Sequence, residues 1–161
     1  MAHHFGYIFP RANPRDSRAP PAVAKPLVDI GYAVVDNPQL TVRERQICIL
    51  AVCSVYHGQF MTYAHIRISK NVGFTADQVY DARTGKTPEG LPAQEKAAYE
   101  FSKAMAAARE VVPDDLFNIW MGILGEDKVT ALIHCVGLYV YTSLIMHISD
   151  VPIPEGGKIE R

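Results

Sequence analysis

Between Leu40 and Gly73 the chain reads LTVRERQICILAVCSVYHGQFMTYAHIRISKNVG, the pattern of two helices joined by a tight corner. Thr41 followed three residues on by Glu44 is a capping box, which satisfies two otherwise unpaired amides and starts a helix near Val42. Ile47, Leu50, Ala51, Ser54 and Val55 recur at three-to-four spacing and make an apolar stripe, while Arg43, Glu44, Arg45 and Gln46 crowd the first turn. The helix is expected to end around His57–Gly58, with the glycine taking the left-handed closing conformation. A second helix follows from about Gln59 to Asn71 and stops at Asn71-Val72-Gly73. Met61 and His65, four apart, share one face of it, and Gly58 begins the same line. The segment therefore delivers a single imidazole into apolar surroundings.

The rest of the chain reads as helix and connection. Residues 1–21 carry Pro10, Pro14, Pro20 and Pro21 among Arg11, Arg15 and Arg18, an irregular arm suited to strapping a neighbour rather than to a helix. Ala22–Val35 is a short amphipathic helix, expected to be interrupted near Pro26 and closed by Asn37-Pro38. Thr75–Ala82 is capped by Thr75, Arg83–Pro92 is a loop, Ala93–Arg109 is alanine-rich, and Pro113 opens a helix that ends near Gly125. The final helix is apolar around nearly its whole circumference, as if covered on every side. No paired alternating segments suggest a hairpin. The expectation is an all-α bundle of six to seven helices, with a helical domain over 22–150 and a proline- and glycine-bearing tail over 151–161.

Composition removes several classes of function. A chain of 161 residues is one domain long enough to bury a core. With a formal net charge of −1 and no basic stripe, it offers no nucleic-acid surface. The longest apolar run, Val129–Ile148, is interrupted by Thr130, His134, Thr142, Ser143 and His147, and reads as a helix buried between subunits rather than a membrane span. Three cysteines form no disulfide framework, and no signal-peptide pattern opens the chain, so a reducing cytoplasmic location is expected. His134 and His147, thirteen apart with no acidic partner on their helix, do not make a metal site.

Five segments in order then carry a resemblance. Arg45-Gln46-Ile47-Cys48-Ile49-Leu50-Ala51, Phe60 with His65 and Gly73-Phe74-Thr75, Leu91–Ala97 followed by Phe101, Phe117–Lys128, and Val129–Tyr141 together resemble the carboxymuconolactone decarboxylase and alkylhydroperoxidase D-like (AhpD-like) superfamily, over roughly Val23 to Pro154. That resemblance implies a helical protomer that assembles as a homotrimer or homohexamer, with pockets near the subunit contacts. In the peroxidase branch a glutamate, two cysteines three apart and a histidine form a thiol relay, and these fall here on Gln46, Gly58, Met61 and His65. Only the histidine is kept. Glycine and methionine supply no thiolate, and Cys48, Cys53 and Cys135 lie elsewhere. In the decarboxylase-like branch the glutamate four before the histidine is likewise replaced, by Met61.

What remains is acid–base chemistry without thiol, metal or organic cofactor. The resemblance implies a lyase acting on a small carboxylated lactone, β-keto acid or polyketide-like compound, with His65 as general acid/base and Tyr56 or Tyr139 as a second donor. Gln46, Met61, Phe60, His134 and Arg45 are the expected substrate-binding residues, and the fork of Arg45 or Arg43 would suit a carboxylate. The same parts would serve an isomerase or dehydratase. A thiol-dependent antioxidant protein using a displaced cysteine, and a non-catalytic ligand-binding subunit, are the readings from other classes. His65 read without chemistry is a core histidine bonded to a backbone carbonyl.

Overall fold

The computed structural model describes residues 21–159, which form seven helices and no strand. They are α1 (Pro21–Val35), α2 (Val42–Tyr56), α3 (Gln59–Asn71), α4 (Ala76–Thr84), α5 (Ala93–Ala107), α6 (Asp114–Leu124) and α7 (Glu126–Ser149). The arm expected over 1–21 lies outside the described residues except for Pro21, which already belongs to α1.

The axis of the bundle is α2. Its first turn is set by the anticipated capping box: Glu44 N–H donates to Thr41 Oγ1 at 3.1 Å, and Thr41 N–H donates to the Glu44 carboxylate at 2.9 Å. From Gln46 to Ser54 every residue is buried, because α3, α4, α5 and α7 pack around it. The sequence pattern suggested a one-sided stripe here, whereas the structure buries the helix on every side. On α7, Ile133, Tyr141, Leu144 and Ile148 are exposed along one outer line, while the opposite side packs on α1, α2, α5 and α6. By length and composition α7 could cross a membrane, but half of that apolar stretch is buried inside the fold.

Burying α2 requires partners for its charged first turn, and these come from distant parts of the chain. Arg43 grips Glu95 of α5 through Nε and Nη2 at 2.7 and 2.8 Å, stacks 3.9 Å over the Phe74 ring, and donates to the Val72 carbonyl. Lys128 of α7 donates to Glu44 at 2.5 Å and to Gln94 at 2.5 Å. Burial pushes the Glu44 carboxyl up, but the bonds from Lys128 and Thr41 outweigh it and hold it below the usual carboxylate range. Tyr99 ties α5 to α4 through the Ala82 carbonyl at 2.9 Å, and Phe101 meets Trp120 of α6 edge-on at 5.3 Å.

Two local expectations are corrected. First, α1 runs unbroken through Pro26. The bond that proline forfeits is the one to the Ala22 carbonyl, and both residues are exposed, so water satisfies the acceptor while Leu27 and Val34 hold the inner face. Second, the left-handed residue closing α2 is His57, at φ 53°, and not Gly58, which is extended and caps α3. Holding a non-glycine residue there costs roughly 1–2 kcal/mol. The corner between α2 and α3 is thus strained, and it lies at one end of the histidine-bearing face.

Candidate functional site

The face of α3 carrying Met61 and His65 meets α7 along a row of residues spaced by four: Cys135, Tyr139, Ser143 and His147. His65 is only 4% exposed. Its Nδ1 lies 2.8 Å from Oε1 of Gln46 on α2, and its ring stands edge-on to Tyr139, with centroids 5.3 Å apart at 85°. Because Gln46 presents its carbonyl oxygen, Nδ1 is the donor, and in the neutral ring the acceptor is Nε2. The buried histidine is therefore bonded to a side-chain amide. Burial is also what governs Tyr139: it drives the phenol far above its ordinary range, helped by neighbouring Cys135, Cys48 and Cys53, with Arg45 acting in the opposite sense. Tyr139 is consequently a neutral donor at any physiological pH.

Met61 completes this group. It is 2% exposed, and its sulfur lies 4.0 Å from the Ser143 hydroxyl, whose proton goes instead to the Tyr139 carbonyl at 2.7 Å. Arg45 lies at the edge. Its charge is felt at Tyr139 and Cys135, its Nη2 makes only two long bonds to the Asn37 and Leu40 carbonyls at 3.4 Å, and its buried Nε has no partner. Arg43, by contrast, is consumed by Glu95.

The structure thus gathers Gln46, Met61, His65, Tyr139 and, at the margin, Arg45. It places the other expected residues elsewhere. Tyr56 stands at the far end of α2 beside His147, ring centroids 6.5 Å apart, about 15 Å of helix rise from Gln46. Phe60 packs, partly buried, against the core, and five residues before His65 it points off the Met61–His65 line. His134 is exposed on the outer line of α7 with Tyr141, rotated about 140° from Tyr139. Ser143 and His147 belong to the seam although the sequence reading passed over them in that role. The signal that would have found them is the four-residue spacing from Tyr139.

The three cysteines are all buried and all free. Burial raises the Cys53 thiol to about 12, and a bond with Cys48 together with burial holds Cys135 well above the ordinary thiol value. Cys135 lies one turn from Tyr139 on α7, with its thiol raised and buried. Among the described residues no group of three His, Cys, Asp or Glu side chains is placed to hold a metal ion. Two surface cavities, of about 380 Å³ beside the α5–α6 connection and about 430 Å³ between α1 and α7, are not lined by His65.

These features define an all-α bundle of the AhpD-like type whose relay cysteines are absent and whose histidine is held by an amide. A family model described as the carboxymuconolactone decarboxylase family matches residues 21–112. The chain belongs to that family, within the carboxymuconolactone decarboxylase and AhpD-like superfamily. It is similar in fold to a protein of unknown function from Agrobacterium tumefaciens, described as a candidate antioxidant defence protein AhpD, at a TM-score of 0.76 and 16% identity over 86% of this chain and 94% of that one. No curated protein matches.

The thiols give a direct test. Iodoacetamide at neutral pH is expected to label Cys48, Cys53 and Cys135 far more slowly than it labels the same protein unfolded in denaturant. Stability should also fall as pH rises from about 9 towards 12, because the unfolded chain releases the Cys53 proton first, and Cys53→Ala should flatten that slope. Rapid labelling of Cys135 in the folded protein would revive the thiol reading.

Proposed function

We propose that the protein is a cofactor-independent lyase that decarboxylates a small carboxylated lactone, β-keto acid or polyketide-like compound, with His65 as the general acid/base. The observation that carries this reading is the Gln46–His65 bond. It orients the imidazole with its proton on Nδ1, so that Nε2 is the ring nitrogen able to act as base, with the Tyr139 ring edge-on beside it. A glutamine cannot take up the proton or carry a charge, so the histidine ends the chain instead of relaying to a carboxylate.

The chemistry needs no more than these groups. Nε2 takes the carboxyl proton of a β-keto acid as the carbon–carbon bond breaks and carbon dioxide leaves. The electron pair passes into the enol system, whose oxygen accepts from a phenol donor such as Tyr139. The proton then returns from Nε2 to carbon. Arg45, with an unpaired Nε, is the side chain suited to a second carboxyl group that is not lost. The apolar wall of α2, Ile47 to Cys53, keeps the site dry. Isomerisation or dehydration of a similar acid would use the same groups. Because His65 is enclosed, turnover includes an opening step.

The working form, in this reading, is a homo-oligomer of three or six copies. The exposed apolar line of α7 and its neighbour on α6, Phe117, Ile119 and Ile123, support it, since a lone protomer leaves them in water. Light scattering is expected to return a multiple of the 17.8 kDa chain mass. Leu144→Glu with Ile148→Glu should shift it towards the single-chain mass, and a native monomer would remove the assembly from the account.

Activity is tested with a panel of β-keto acids and carboxylactones, following carbon dioxide release. Native protein should turn over at least one member. His65→Gln should lose on the order of 10²–10⁴-fold in rate, the range a positioned acid–base group contributes. No release above the His65→Gln background from any member would end the lyase reading.

A further inference from the structure

Between the exposed His147 and the buried His65, Gly58 and Met61 lie in order along the α3–α7 seam. His147 is exposed at the outer end of the α7 row, with Tyr56 beside it. Behind them lies Gly58, buried but lacking a side chain: a Cβ there would sit 3.9 Å from His147 Nε2 and 3.9 Å from both Cβ and Cε of Met61. Next inward is Met61, and one helical turn further, on the same face, is His65.

We infer that Met61 is the removable plug of the His65 site, and that Tyr56, Gly58 and His147 frame the mouth through which a small acid enters. Every other group along the inner seam is pinned. Ser143 is bonded to a backbone carbonyl of its own helix, His65 to Gln46, and Tyr139 is wedged against the imidazole. Met61 alone is held by dispersion and a sulfur contact at 4.0 Å, on an unbranched side chain with three rotatable bonds. Gly58 leaves the space into which its methyl end can swing, and the strained His57 corner borders that space. In the open state the entering molecule passes between an aromatic ring and an imidazole, which favours a flat, small compound over a bulky one.

This deepens the reading of His65 as the reacting group, yet its test reads access alone and can fail while that reading stands. Diethyl pyrocarbonate labels histidines it can reach, and peptide mass spectrometry resolves His65 from the exposed His134, which stands away from the mouth and acts as the internal reference. A gate that is open for a minor fraction of the time throttles labelling by that fraction, so Met61→Ala should speed His65 labelling on the order of tenfold or more while His134 is unchanged. Met61→Ala combined with Gly58→Leu, which refills the space from the backbone side, should return the rate towards native. In the unmodified protein, low urea should barely change His65 labelling, because the opening is local. The inference is overturned if folded Met61→Ala labels His65 no faster than native, if the double variant stays as fast as the single one, or if native labelling rises with urea in step with global unfolding. The urea measurement decides the matter even where Met61→Ala does not fold.

Discussion

Enclosing α2 on all sides is the constraint from which the other features follow. A helix packed by four others has no water to satisfy its polar side chains, and an unpartnered buried polar group costs on the order of 1–3 kcal/mol. Four polar residues on α2 are therefore answered by particular partners: Arg43 by Glu95, Glu44 by Lys128 and Thr41, Ser54 by the Ala51 carbonyl, and Gln46 by His65. The first two fasten α5 and α7 to the start of α2. The last fixes α3 in rotation, because the imidazole must face inward to meet the amide. The candidate site is thus a by-product of core satisfaction, positioned as rigidly as the packing itself.

That dual role explains which parts of the molecule were legible beforehand. The capping box at Thr41, the bounds of α3 and the shared face of Met61 and His65 depend on residues within a few positions of one another, and the residues alone revealed them. The order of the five segments carried the family. The centre of the bundle was hidden, because the charges in the first turn of α2 look like an exposed end until partners 52 and 84 residues away are seen to cover them. The bend expected at Pro26 failed for a similar reason: only the tertiary structure shows that its lost bond faces water. Gln46 read as a missing catalyst and proves to be a holder. Tyr56 and His134, chosen for chemical type, stand at the seam's mouth and on the outer surface, and nothing within the segment distinguished them from Tyr139.

At three positions the residues differ from the thiol relay that the resemblance implies for the peroxidase branch. Glycine at 58 and methionine at 61 leave a gap and a soft filler where a pair of thiols would otherwise stand, and glutamine at 46 replaces a charged partner by a neutral one. The imidazole is bonded to that neutral amide and lies in a closed, apolar seam. Cys53 and Cys135 do not supply a thiolate in their place, since their surroundings raise both thiols. In the proposed reading, rigidity around His65 and softness at Met61 are complementary, the one orienting the reacting nitrogen and the other admitting what it reacts with.

The tautomer of His65 is the point on which this account turns, and nitrogen-15 correlation spectroscopy of the histidine side chains reads it directly. The account predicts that near neutral pH the His65 ring shows a protonated Nδ1 and an unprotonated Nε2, and that Gln46→Leu abolishes this preference. A proton found on Nε2, or a ring whose tautomer is indifferent to Gln46, would contradict it.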